Sequence, residues 1–161
     1  AQIDRVINAC KRLSDAAMIS LLDAAEALVP VAAETGSRDL LDETEILAMR
    51  DSGLLRFGSH SRRHTRLLPE LAPVQLEDEL RASRDRLEQM IGRPVDIFCY
   101  PNGDCSPAAL ALAHTVYRAA VTTVPGWNQP QSDLHLLKRL SVHEDIAADK
   151  ASFMARVAGL R

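Results

Sequence analysis

The chain has 161 residues, 47% of them hydrophobic and 25% charged, with a formal net charge of -3. That is enough for one domain with a buried core, in the composition range of ordinary globular proteins. Its lysines and arginines are scattered among acids, which excludes a nucleic-acid footprint, and apolar stretches such as 24–33, broken by Glu26 and Pro30, are too short to span a bilayer.

In chain order, the first third reads helical. Ile3, Val6, Ile7, Cys10 and Leu13 recur at helical spacing, as do Ile19, Leu22, Ala25 and Val29 before Pro30 stops the run. Residues 32–39, with Gly36 and Ser37, read as a loop. Asp42 and Glu45 resemble a capping pair for a short helix that turns Ile46 and Met49 inward and ends at Gly53. Residues 54–58 (LLRFG) read as a short buried strand running into His60. Pro73 opens the best-defined helix, striped by Leu76, Leu80, Leu87 and Ile91 and closed by Gly92 and Pro94. Residues 95–100 (VDIFCY) form the next strand, ended by Pro101, Asn102 and Gly103. A helix from Ser106-Pro107 carries Leu110, Ala113 and Tyr117 on one face, and residues 119–123 (AAVTT) form a strand broken by Pro125 and Gly126. Residues 136–142 give a last strand, and Phe153, Val157 and Leu160 stripe a final helix.

From residue 42, strands therefore alternate with helices. This predicts an α/β fold with a parallel sheet, in which four βα units preceded by helices make a partial barrel. A complete eight-unit barrel needs about 250 residues, so the chain can supply only part of one. Two segments result, a helical segment and loop over 1–41 and the βα units over 42–161. The chain begins with Ala1 rather than Met, and no signal-like segment follows, so its start is expected not to be the native one. Cys10, Cys99 and Cys105 are odd in number and form no CxxC pair, which indicates neither a disulfide framework nor a cysteine zinc site.

Two segments carry chemistry. His60 and His64 follow the strand-ending Phe57-Gly58-Ser59. Histidines four apart on a helical turn lie on one face about 5–6 Å apart and can share one metal ion. The same spacing also fits a polar turn with two solvated histidines beside Arg62, Arg63 and Arg66. The second segment, Phe98 to Gly103, ends the next strand. Sites in parallel α/β folds are built at such carboxyl ends, and a turn there can aim backbone N–H groups at an oxyanion, although a plain strand-to-helix turn has the same composition.

Taken together, Phe57-Gly58-Ser59-His60-Ser61-Arg62-Arg63-His64, the helix behind it, Gly92-Arg93-Pro94-Val95, and Phe98-Cys99-Tyr100-Pro101-Asn102-Gly103 resemble the polysaccharide deacetylases (NodB-homology family, family-four carbohydrate esterases). Residues 119–128 (AAVTTVPGWN) and 138–143 (KRLSVH) resemble that family too. The resemblance implies a distorted (β/α) barrel, here without its amino-terminal strands, and metal-dependent removal of N-acetyl groups from a polysaccharide. His60 and His64 match the H-[S/T]-x-x-H motif that holds Zn2+ or another divalent metal ion, and Ser61 would brace the loop. Tyr100, Pro101 and Asn102 match the third motif, in which the Asn102 backbone N–H would help hold the oxyanion and Tyr100 and Pro101 would shape the substrate groove. Cys99, where many members have Arg, and Asn102, where many have an aromatic residue, resemble a Tyr-Pro-Asn-Gly subfamily.

The implied general acid is His143, which could equally be a strand-end histidine paired with Glu144 or Asp145. Trp127 could stack on a sugar ring or simply be partly buried. His114, on a helix, and His135, in a polar loop, read as structural or solvated. The family's adjacent aspartates, one a metal ligand and one the base, have no counterpart, since the chain contains no Asp-Asp pair. The chain by itself is therefore expected to be inactive. A degenerate module that binds polysaccharide or protein without hydrolysis is the alternative, and the presence or absence of Asp-Asp upstream in the gene discriminates the two. The implied partners are an N-acetylated polysaccharide or oligosaccharide and either a second copy or the missing amino-terminal part. The sequence leaves the compartment open, cytoplasmic or cell-envelope associated in a bacterium.

Overall fold

Capping chemistry places the ends of most elements. In the computed structural model, which describes residues 2–10, 13–28, 40–143 and 148–159, the chain divides into two compact units, Ala1–Leu41 and Asp42–Arg161. The first holds α1 (Gln2–Cys10) and α2 (Asp15–Leu28). Ile3, Val6, Ile7, Ile19 and Leu22, the residues of the sequence stripes, are exposed. The expected stop at Pro30 and the loop over 32–39 lie outside the described residues.

In the second unit, α3 (Glu43–Asp51) begins with the expected reciprocal box. The Glu45 N–H donates to Asp42 Oδ1 at 2.8 Å and the Asp42 N–H to Glu45 Oε2 at 2.9 Å, so two amide donors that the first helical turn would orphan are satisfied. Arg50, near its end, donates to the Ile91 carbonyl at 3.1 Å, and Arg93 donates back to the Arg50 carbonyl at 3.0 Å.

The long helix expected from Pro73 forms in three parts: α4 (Pro73–Glu77), a π-helical turn (Asp78–Ala82) and α5 (Ser83–Ile91), which closes on Gly92 in the left-handed region. A π turn shifts the hydrogen-bond ladder by one residue and leaves carbonyls to be met by side chains. The Ser83 hydroxyl donates to the Glu79 carbonyl at 2.6 Å, and the Tyr117 hydroxyl donates to the Leu80 carbonyl at 2.5 Å.

After α5 come β1 (Ile97–Cys99), a 3-10 turn (Pro101–Gly103), α6 (Pro107–Val116), β2 (Ala119–Pro125), β3 (Leu137–Arg139) and α7 (Lys150–Val157). The three strands form a parallel sheet in the order β1-β2-β3, with Phe98 opposite Ala120 and Val121 opposite Leu137. This is the mixed, parallel arrangement expected. The strand expected over 54–58 is reduced to a single parallel bridge of Ser59 to Phe98. Leu54 and Leu55 are exposed and only Phe57 of that segment packs on the core, so little burial holds it extended against the sheet.

The core lies between the sheet and the helices behind it. Leu76, Leu80 and Ile91 meet Phe98, Tyr100 and Ala120 of the sheet side and Ala109, Ala113 and Val116 of α6, all buried. Small residues on α6 let its backbone approach the sheet closely. Among the described residues no helix is long and apolar enough to cross a membrane.

Candidate active site

The site begins where the chain leaves the edge of β1. The Ser59 N–H donates to the Ile97 carbonyl and the Cys99 N–H to the Ser59 carbonyl, both at 2.9 Å. A Cβ on Gly58 would sit 3.1 Å from the Ile97 carbonyl oxygen, so a small residue is favoured there. His60 Nδ1 then lies 2.7 Å from the Cys99 carbonyl oxygen. A carbonyl can only accept, so Nδ1 carries a proton, and in the neutral ring the lone pair is on Nε2, the tautomer a metal-ligating histidine needs.

The two histidines do not share a helical turn. Ser61 and His64 both adopt left-handed backbone conformations, φ 69° and 59°, in an irregular loop that brings the imidazole centroids to 4.8 Å at 84°. Two non-glycine residues in that region store strain, on the order of 1–3 kcal/mol each, which the surroundings must hold. Glu79 supplies the hold. This side chain, 3% exposed on the π turn, accepts the Arg62 and Arg63 N–H groups at 2.9 Å each and the Thr65 hydroxyl at 3.0 Å. Outside it, Arg62 and Arg63 both pair with Asp78, and these guanidiniums, Arg63 first, hold the Asp78 carboxyl below the usual range.

Arg66 joins this loop to the second segment through Asp104, Nε to Oδ2 at 2.6 Å. In the turn, Asn102 is left-handed at φ 54°, and its carbonyl accepts the Thr123 hydroxyl at 3.2 Å. Gly103 cannot be larger without movement, because a Cβ there would lie 2.1 Å from Thr123 Oγ1. The side chains of Tyr100 and Pro101 are fully buried, Tyr100 edge-on to Phe98 at 5.2 Å. Burial pushes the Tyr100 hydroxyl well above the usual phenol range. What this turn offers a ligand is therefore its backbone and the exposed Asn102. An open groove of about 570 Å³ lies beside the histidines, bordered by His60, Ser61, Arg62, Ser83, Arg86 and Met90.

Sequence reasoning singled out both histidines and the turn, and the structure brings them onto adjoining loops. It missed Glu79 and the Arg66–Asp104 pair, whose partners are 14 to 38 residues away and leave no local pattern. His143 is exposed beyond β3, and its suggested partners Glu144 and Asp145 lie outside the described residues. Trp127 is 53% exposed, with its indole against Gly159. No hydrogen bond, ion pair or ring contact among the described residues joins His143 or Trp127 to the histidine pair. The Ser61 hydroxyl is buried without a partner among the described residues.

The sequence profile of the family described as polysaccharide deacetylase matches residues 21–120, more than half of the chain. The chain belongs to the polysaccharide deacetylase family. Among solved structures it is similar to a polysaccharide deacetylase of Bacillus cereus, with 27% identity and a TM-score of 0.65 over 78% of this chain and 38% of that one. A Bacillus anthracis protein assigned to the polysaccharide deacetylases gives 32% identity and a TM-score of 0.55, over 65% and 32% of the two chains. The Streptococcus pyogenes deacetylase PplD, solved with acetate, shares the fold at 22% identity and a TM-score of 0.67, over 76% and 53%. The chain thus spans 32–53% of the length of these deacetylases. No curated protein matches it.

The donor set fits half of a divalent-metal centre. Two imidazoles meet edge to face, that of His60 against the carboxyl end of β1, but no third carboxylate, thiol or imidazole completes a ligand group around them among the described residues. Catalytic zinc sites use three protein ligands.

Proposed function

We propose that this polysaccharide deacetylase chain supplies the histidine half of a divalent-metal centre, together with the oxyanion-facing turn, of an enzyme that removes N-acetyl groups from an N-acetylated polysaccharide. The observation that carries this reading is the 2.7 Å contact of His60 Nδ1 with the Cys99 carbonyl, which leaves Nε2 available as a ligand on a ring whose centroid is 4.8 Å from that of His64. When bound, a zinc-class ion supplies Lewis-acid activation of the acetyl carbonyl and of the attacking water.

The chain's own residues do the rest of their share. His60 and His64 hold the ion. Glu79 fixes the loop between them, and the Arg66–Asp104 pair sets that loop against the turn. The Asn102 backbone N–H faces the developing oxyanion, with Tyr100 and Pro101 anchoring the turn from the core. His143 protonates the leaving amine, and Trp127 offers its exposed face to a sugar ring. Residues 42–161 form the carboxy-terminal part of the catalytic domain, of the Tyr-Pro-Asn-Gly subfamily. The 161-residue chain alone, with no Asp-Asp pair, lacks the base and is inactive. It functions paired with a second copy or with the missing part of the domain.

The test is a Zn2+ titration followed through the His60 and His64 ring resonances, together with acetate release from N-acetylated chitooligosaccharides. Both rings are expected to shift together, and the chain alone to release no acetate. Rings that do not respond to zinc overturn the metal reading, and chelator-sensitive acetate release overturns the inactivity of the chain. The missing Asp-Asp pair also favours a second reading, a module that binds polysaccharide without hydrolysing it. Retention of the oligosaccharide by the full-length protein, without acetate release, would establish that instead.

A further inference from the structure

A second group of ligands stands at the other end of the strands. His114, on the last turn of α6, and Asp133 and His135, in the connection from β2 to β3, bring one ligand atom each to within 4.8 Å of one another. We propose that these three side chains form a second divalent-metal site of zinc class, a structural tie between α6 and the β2–β3 connection.

His135 is 8% exposed, and its Nε2 lies 2.9 Å from the Tyr117 carbonyl oxygen, which can only accept. Nε2 therefore carries the proton, and in the neutral ring Nδ1 is left with a lone pair. That lone pair faces Asp133 Oδ1 at 3.7 Å. Asp133 Oδ1 also accepts the His135 backbone N–H at 2.8 Å, which fixes the carboxylate beside the ring. Two acceptors that face each other at this distance leave a place that a bridging cation fits. His114 Nε2 stands 3.5 Å from the other carboxylate oxygen, Oδ2, and the two imidazoles stack at 3.9 Å and 36°. Nitrogen, nitrogen and carboxylate oxygen are a zinc-class donor set.

The spacing fits as well. Ligand atoms about 2.1 Å from a tetrahedral ion lie roughly 3.4 Å apart. The two separations above, one to each carboxylate oxygen, are near that, and the three ligand atoms taken one per residue lie within 4.8 Å of one another. The His114 and Asp133 side chains are 46% and 39% exposed and can close that gap by rotation, without moving the backbone. The Tyr117 carbonyl behind His135 is the outer-sphere partner that orients a metal-bound imidazole. Position indicates the role. The Ala120 N–H donates to the Leu134 carbonyl at 2.8 Å, which places the cluster at the amino end of β2, whereas His60 leans on the carbonyl that ends β1. In parallel βα architecture the carboxyl end carries catalysis and the amino end carries stability.

The experiment uses the 161-residue chain in a His60→Gln/His64→Gln background, so that any stoichiometric zinc belongs to the new site. After equilibrium dialysis against Zn2+, elemental analysis should find one equivalent bound, and zinc should raise the thermal midpoint. Adding His114→Gln at the exposed position should weaken binding by more than the about 10–100-fold that loss of an outer-sphere partner brings, and should abolish the midpoint shift. Asp133→Asn is the second variant and should behave alike. Should the His60 and His64 changes unfold the chain, His114→Gln in the otherwise unaltered protein must lower bound zinc by one equivalent. No bound zinc in the double variant, or zinc undiminished by His114→Gln and Asp133→Asn, overturns the proposal and leaves a proton, not a metal, between His135 and Asp133. The His60 and His64 resonances report on the other centre, so either proposal can fail alone.

Discussion

Glu79 is the side chain on which the histidine loop depends, because it is buried and its acceptors serve groups on three residues of that loop. Glu79→Gln keeps the volume but replaces one carboxylate oxygen by an amide NH2, which cannot accept. Either the Arg62 and Arg63 N–H groups or the Thr65 hydroxyl then loses its acceptor. A buried polar group left unmet costs about 1–3 kcal/mol. We expect urea unfolding to show a loss of that size and zinc binding at His60 and His64 to weaken by about 10–100-fold, the range for loss of a group that orients metal ligands. Unchanged zinc affinity in a folded Glu79→Gln variant would show that the loop holds its shape without this carboxylate. Part of this scale was readable in advance. The Asp42–Glu45 box was legible because capping is written in residues three apart, whereas the contacts of Glu79 cross 14 to 17 residues and follow from the π turn that aims it.

Among the elements, α7 tests how caps respond to pH. Asp149 Oδ1 accepts the Ser152 N–H at 2.8 Å and Oδ2 accepts the Ser152 hydroxyl at 3.1 Å, and these bonds, the backbone one first, hold its pKa below the usual carboxylate value. A depressed folded-state pKa stabilises the folded form fully above the unfolded value of about 3.9, and the contribution is lost as pH falls through the lower folded value. Amide exchange at Ser152 is therefore expected to accelerate on acidification below that value. In Asp149→Asn, which still caps but does not titrate, the acceleration should disappear. Equal pH dependence in the two proteins would assign the effect elsewhere. At this scale the sequence placed the starts of α3, α4 and α6 and the parallel strands, but it promoted 54–58 to a strand. A run of apolar residues sets a tendency, and burial on the sheet decides whether it pairs.

For the molecule as a whole, two features favour association. The free side of β1 is met only at the Ser59 bridge among the described residues, and Ile3, Val6, Ile19, Leu22 and Leu28 of the first unit are exposed. Unpaired strand edges and apolar surface both promote pairing with another chain. Sedimentation of the purified protein should therefore show a dimer or larger assembly, or a second polypeptide that mass spectrometry identifies. A single 17.7 kDa species at all concentrations rules this out.

The sequence by itself determined what is local or carried by ordered motifs. The helix caps, the parallel βα alternation, the histidine pair, the turn from Tyr100 to Gly103 and the resemblance to polysaccharide deacetylases were all legible there. Tertiary structure alone decided the rest. It set two left-handed residues in the histidine loop, buried Tyr100 and Pro101 while Asn102 stays exposed, and gathered His114, Asp133 and His135. His114 and His135 read singly as structural or solvated because nothing in their spacing couples them. They meet only because the Tyr117 carbonyl at the end of α6 accepts from His135 and the β2–β3 connection folds back to provide it, a condition fixed by packing across the sheet and absent from any short window of sequence.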